Sequence, residues 1–439
     1  MAKKSTDSQQ DSPFAVPSGL EEREDGVYDP KLRLDYDPTF LPVLGTSVNR
    51  RRLLQAAAGL AAGGLMPRAH AVDEKFDPVV RVGYLPITDA AALLIAYEKG
   101  FFKEQGLEAE KPTLIRSWQQ LVETFESHRF NLTHLLIPIP IWMRYGNKYP
   151  VKIVSWDHTN GSAMVVRKDS GIKSFKDLGG KQFAMPFWYS IHNIISQMEL
   201  RNAGIKPVIR PQEAKLAADE CNLLVLAPPD MPPALAARKI DAYCVAEPFN
   251  ALGELRADGE ILRFTGDIWK GHPCCVVCMH EADAMDPARE KWAQAVLMAI
   301  VQAQSFIREN RKETANLLSR DGKSYLPFPA PVVERAMIFY DPVFYKGAIQ
   351  HPQWNQNRID MNAWPYPAAT ELVTEHLKKT VVTGDTEFLG KLTPDFVSKD
   401  LVNYDHVKKA TQKYMDSWKK DPSIPQTGDP FERKEQIEL

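Results

Sequence analysis

The hydrophobic patterning that organises the chain begins near residue 79. Residues 80–85 are apolar enough for a buried strand, Pro86 breaks it, and Thr88 or Asp89 is placed to cap a helix that runs to Gly100. Phe101 and Phe102 follow, with a second glycine turn at Gly106. A strand that turns through proline into a helix N-terminus aims backbone N–H groups and partial positive charge at one point, which suits a small anion or polar group. The same pattern equally describes an ordinary βα unit whose cap only caps.

Extended and helical stretches go on alternating. Strands are expected at 114–118, 131–137, 151–156 and 163–167, with helices at 119–128 and around Trp142 and Tyr145. A second series has strands at 181–186, 223–227 and 241–246 and helices at 191–203 and 232–238. An extended run at 274–279 leads into a long helix at 288–309, where Trp292, Ala295, Val296, Met298, Ala299, Val301 and Phe306 keep a helical period. Helical segments broken by prolines fill most of the remainder to Trp418, and residues 421–439 form a polar tail expected to fray.

Short β-α-β connections predict an α/β fold of mainly parallel sheets flanked by helices. Two such series, one inserted in the other, predict two lobes: 79–160 with 280–420, and 165–270. The turns that end parallel strands then face the cleft between lobes, where ligands sit.

Composition changes little in this picture. The 439 residues are 44% hydrophobic and 25% charged, with a net charge of −2 that favours neither nucleic acid nor an anionic membrane surface. No apolar run reaches the ~18 residues of a spanning helix. The first 48 residues are polar and Pro-punctuated, and read as a disordered leader. Residues 49–71 differ: Arg50-Arg51-Arg52 precede a Gly-diluted apolar run and a small-residue cleavage site at Ala69-His70-Ala71. That is a twin-arginine-like export signal, which implies a periplasmic working place. No cysteine follows the cleavage site, so no lipid anchor is indicated. A short amphipathic or buried helix is the alternative, and leaves the three arginines unexplained. The five cysteines are an odd number and three of them crowd into 274–278, which is no disulfide framework.

The stretch "VGYLPITDAAALLIAYEKGFFKEQGLE" resembles the opening of the substrate-binding proteins of ABC importers for nitrate, bicarbonate, sulfonates and taurine, the nitrate/bicarbonate branch most closely. "LLIPIP", "TNG", "SIHN", "DAYCVAEPFNA", "GDIWKGHP", "AVLMAIVQAQ" and "WPYP" follow in the family's order, over residues 79–380. Each motif is weak alone; order and spacing together are specific. The resemblance implies a two-lobed periplasmic-binding-protein fold (type II) that closes on a small anionic or polar solute. It also implies delivery to the permease and ATPase subunits of an importer, with no enzymatic activity and no cofactor.

The resemblance further implies a site. Family members hold the solute against a threonine, a tryptophan, a Gly-Gln turn, a histidine and a lysine. These positions match Thr88 (beside Asp89), Trp118, Gly161 with Ser162 in place of glutamine, and His192. Trp118 is an indole donor on this reading and a core aromatic on the plainer one. Where the family has "WKDHPEK", this chain has Trp269-Lys-Gly-His-Pro-Cys274-Cys275, so glutamate and lysine have become cysteines. A charged donor is worth about twice a neutral one to an oxyanion, so the exchange weakens the case for bare nitrate. Lys270 is the cation left in that turn. Cys274, Cys275 and Cys278 read as a buried strand, as thiols facing the ligand, or as a soft-metal or catalytic cluster like that of the related thiamine-pyrimidine synthases. Strand alternation puts Cys274 and Cys278 on one face and Cys275 on the other. No metal is assigned.

Overall fold

The computed structural model describes residues 77–439; the leader and the export signal lie outside the described residues. The chain first lays down β1 (Val82–Tyr84), β2 (Thr113–Leu114), β3 (Leu132–Leu136) and β4 (Val151–Trp156). It leaves through a short strand, β5 (Thr159–Asn160), for a second sheet. That sheet contains β6 (Ser162–Arg167), β7 (Gln182–Met185), β8 (Lys206–Val208), β9 (Glu220–Val225), β10 (Ala242–Ala246) and β11 (Gly259–Phe264). The chain then returns as β12 (Cys275–His280), antiparallel between β3 and β4, so the first sheet has the order β2-β1-β3-β12-β4. The second sheet has the order β11-β6-β10-β7-β9-β8, in which β6 alone runs opposite to the other strands.

The helices follow from capping and period. Ser117 accepts from the Gln120 N–H at 3.3 Å and opens the helix Trp118–Glu126, which buries Trp118, Leu121, Val122 and Phe125 on one face. Ser190 does the same for Ile191–Asn202, accepting from Asn193 N at 3.1 Å. That helix is buried from Ile191 to Leu200, because the 381 segment covers its outer side and Asn193 and Gln197 donate to Val381 O. The helix Glu290–Glu309 packs along the first sheet, and Gln304 Nε2 donates to the carbonyls of Trp156 and Asp157 at 3.0 and 2.8 Å.

The opening stretch departs from expectation. Neither Thr88 nor Asp89 caps: a 3₁₀ turn, Thr88–Ala90, leads into Ala91–Glu98 with no side-chain cap on either element. Both side chains are turned elsewhere.

The two chain crossings between the sheets lie side by side. Thr159 bridges Pro273, Asn160 N donates to His272 O at 3.1 Å, and Thr265 Oγ1 donates to Ser162 O at 3.0 Å. β13 (Ile359–Asp360) pairs with β5 from the other side. Residues 335–358 are tied to the second sheet: Arg335 and Arg358 both pair with Glu254, and Tyr345 stacks edge-on to Phe264.

The polar tail does not fray. Phe431 stacks on Trp418, Trp364 Nε1 donates to Phe431 O, Trp269 Nε1 donates to Glu435, and Ile437 bridges Trp269. Arg433 lies over the ring of Tyr366 at 4.4 Å.

Candidate functional site

The crossings bring the chemistry together. Asp89 sits in the 3₁₀ turn Thr88–Ala90 that follows β1, His158 just past β4, Cys274 just before β12 and Cys275 at its start. These four side chains are fully buried, and a ligand atom from each lies within 4.8 Å of all the others. Asp89 Oδ2 is 2.9 Å from His158 Nε2, 3.3 Å from Cys275 Sγ and 3.5 Å from Cys274 Sγ. From the second sheet come Ser162, the first residue of β6, and His192 in the first turn of its helix. Ser162 Oγ is 2.8 Å from His192 Nε2 and 3.6 Å from Cys274 Sγ, and the latter contact spans the two sheets.

The alternation argument fails at Cys274. β12 begins only at Cys275, so Cys274 lies in the preceding turn and both thiols reach the same Asp89 oxygen. Cys278 is buried further along the strand and is not in this group.

Gly161 positions and does not present a donor of its own. Its φ is +78°, and a Cβ there would stand 3.1 Å from the His158 ring. A side chain would therefore be strained and would push on the imidazole. Its N–H is taken by Arg358 O at 2.9 Å. Thr88 Oγ1 donates to Glu247 O at 3.2 Å and Thr88 N to the same carbonyl, so this threonine ties the two sheets together. Trp118 is 2% exposed, packs edge-on to His134 and has no partner for Nε1. Lys270 does not replace the missing family lysine: it lines a surface pocket with Ser423, Arg433 and Gln436.

Burial governs the electrostatics. It pushes the Asp89 carboxyl up to about 6, against the pull of His158. Burial opposes the His158 imidazolium, but the Asp89 carboxylate and Cys274 overcome it and hold that histidine well above its ordinary value. Burial also opposes a Cys274 thiolate, yet Cys275, His192 and His158 bring its pKa well below normal. Cys275 moves the other way, raised by burial and by the neighbouring Cys274 and Asp89. The cluster therefore concentrates one acidic thiol, one carboxyl and one imidazole, and none of its members is a lysine or arginine.

Several polar atoms here are buried without a partner: Asp89 Oδ1, Trp118 Nε1, His134 Nδ1, His192 Nδ1 and both carboxylate oxygens of Asp157. Buried polar atoms are rarely left so, and such a concentration marks a place where water or a ligand completes the bonding. The sequence motifs single out neither His158 nor Asp157. The signal was present: a histidine three residues before a glycine that directly follows an asparagine, both of which adopt positive φ (60° at Asn160).

A family model described as the NMT1-like family matches residues 73–319, which contain both sheets. The nitrate/nitrite-binding protein NrtA of Nostoc sp. is 30% identical over 284 residues, covering 58% of this chain and 60% of that protein. The nitrate import ATP-binding protein NrtC of Synechocystis sp. is 28% identical over 254 residues, covering 54% of this chain and 36% of its own length. The matches thus span 60% or less of these two curated relatives. Among solved structures, the periplasmic nitrate-binding protein NrtA from Synechocystis superposes with a TM-score of 0.62 at 21% identity, covering 79% of this chain and 92% of that one. The periplasmic aliphatic sulphonate-binding protein SsuA from Escherichia coli gives 0.52 at 16% identity, covering 74% and 92%. These likenesses establish the two-lobed periplasmic-binding-protein fold. With more than half its length matched, through both sheets and both crossings, the chain belongs to the NMT1-like family.

Proposed function

We propose that the protein is the solute-binding component of an ABC importer. It is exported to the periplasm by the twin-arginine route and holds a small anion or polar solute in the cleft between its two sheets. The observation that carries this reading is the meeting of Ser162 and His192 with Cys274 across the cleft, beside unpartnered buried donors such as Trp118 Nε1. A solute there can bond to both lobes at once, which is how closure is coupled to binding and to docking on a permease. The names of the relatives, nitrate-binding, sulphonate-binding and an importer ATPase, support the solute class and the partners. The cysteines in place of glutamate and lysine favour a larger oxyanion or a sulfonate over bare nitrate, since the cluster has neither lysine nor arginine and its imidazolium, His158, is engaged with Asp89.

A thermal-shift screen of the processed protein with nitrate, nitrite, bicarbonate, taurine and alkanesulfonates tests the reading, because a solute bound to the folded state raises Tm. Trp118→Phe keeps most of the buried ring and removes Nε1, and His192→Gln keeps a hydrogen-bonding group in place. For a solute that shifts Tm, each substitution is expected to lower calorimetric affinity roughly fivefold to hundredfold, the cost of one buried partner left unmade. Unchanged affinity in both variants refutes the site. N-terminal sequencing of the exported chain, finding cleavage after Ala71 or not, tests the route.

A further inference from the structure

We propose that Asp89, His158, Cys274 and Cys275 form a binding site for a borderline-soft divalent ion of the zinc kind, built into one wall of the cleft. All four side chains are carried by the first sheet and the adjoining crossing, so the inference stands independently of the importer reading. The donor set is two sulfurs, one imidazole nitrogen and one carboxylate oxygen. That combination suits zinc and excludes calcium or magnesium, which take oxygen ligands.

The geometry is close to what such an ion requires. Zinc–ligand distances of ~2.0–2.3 Å in a tetrahedron imply ligand-to-ligand edges of about 3.3 Å for N···O and about 3.5 Å for S···O. The observed edges at Asp89 Oδ2 are 2.9 Å to His158 Nε2, and 3.3 and 3.5 Å to Cys275 and Cys274. The remaining edges are all under 4.8 Å, so movements of about an ångström or less complete the tetrahedron. Both cysteines are free thiols.

The surroundings point the same way. His158 Nδ1 faces Thr159 O at 3.4 Å, an outer contact that turns Nε2 inward. Without an ion, Nε2 stands 2.9 Å from an acceptor, Asp89 Oδ2, and 3.3 Å from a donor, the Cys275 N–H. Wherever the proton sits, one of those two contacts is unfavourable. An ion bound to the nitrogen lone pair and to Oδ2 takes the place of the proton that these two atoms otherwise share. Asp89 Oδ1, buried and unpartnered, is the second oxygen of the same ligand. Ser162 and His192 close over Cys274 from the other sheet, so the ion is enclosed when the cleft is shut and reachable when it opens. With the ion in place, Ser162, His192 and Trp118 remain as the groups free to face a solute.

The test uses the full chain, reduced, stripped with chelator and titrated with Co²⁺. The expected result is stoichiometric binding with a thiolate-to-cobalt charge-transfer band and the intense visible bands of tetrahedral cobalt, both abolished by added Zn²⁺. Cys274→Ser and Cys275→Ser should each lose about half of the charge-transfer intensity, one thiolate of the two, and weaken Zn²⁺ by at least about tenfold. Cys278→Ser should keep both. Circular dichroism identifies any variant that does not fold, in which case His158→Gln takes its place. Absence of the charge-transfer band in the wild-type chain overturns the proposal. So does its survival at full intensity in both site variants, or its loss in folded Cys278→Ser. Each of these outcomes leaves solute binding in the thermal-shift screen untouched.

Discussion

His280, at the end of β12, shows how a single side chain sets a pH limit on this fold. It is 5% exposed, stacked on Phe125 with ring centroids 4.1 Å apart, with Tyr149 Oη 2.9 Å from Nδ1 and Phe130 O 2.9 Å from Nε2. The neutral ring with its proton on Nε2 satisfies both contacts, accepting from the tyrosine and donating to the carbonyl. Burial accordingly lowers its pKa to about 4. The unfolded chain therefore binds this proton near pH 6.5 while the folded one does not until about pH 4. Stability is level in this respect above pH 6.5 and falls as pH drops towards 4, by up to about 3 kcal/mol. A His280→Gln variant should show a flatter Tm-against-pH profile across that window; a profile parallel to the wild type contradicts it. At this scale, Asp89, Ser162 and His192 were legible because each stands in a motif of recognisable order. His158 was not, because its spacing to Asn160 and Gly161 is a weak local signal and its partners, Asp89 and Cys275, lie far away along the chain.

At the scale of elements, Glu254 joins three parts of the chain. It lies in the helix Phe249–Arg256 and takes Arg335 from the helix Ala330–Ile338 at 2.8 Å, Arg358 from the approach to β13 at 2.9 Å, and the Tyr345 hydroxyl at 2.8 Å. These groups are nearly all buried, and although Arg358 also pairs with Glu247 at 2.7 Å, removing the acid leaves the two guanidinium groups with one carboxylate fewer between them. Glu254→Gln should lower unfolding stability by about 3–5 kcal/mol, read as a reduced urea midpoint at unchanged slope. Adding Arg335→Met should recover part of that loss; no recovery means that the charge is not the cause. Long elements were the readable ones: β4 and the helix Glu290–Glu309 fall where their patterning placed them. β8 and β11 were passed over. Lys206-Pro207-Val208 carries a proline that only an edge strand tolerates, and β11 is bulged between Ile261 and Arg263, which disrupts its alternation.

Across the whole molecule, two βα series with one inserted in the other were enough to foretell two sheets and two crossings. The tail was misjudged because it is polar by count, with few apolar residues of its own. It holds on through the aromatic rings and N–H groups of other segments, as Trp269, Trp364 and Trp418 show. A chain ending at Lys420 should consequently melt at lower temperature and show red-shifted tryptophan emission. Unchanged emission contradicts the strapping role. One last consequence comes from the paired crossings, where Thr159 bridges Pro273. A pivot displaces what lies on it least and what lies far from it most. His158 and Cys274 stand next to this axis, whereas His192 is carried on a lever arm by the second sheet. In the proposed opening of the lobes, one half of the proposed binding surface would therefore stay assembled and the other half would sweep.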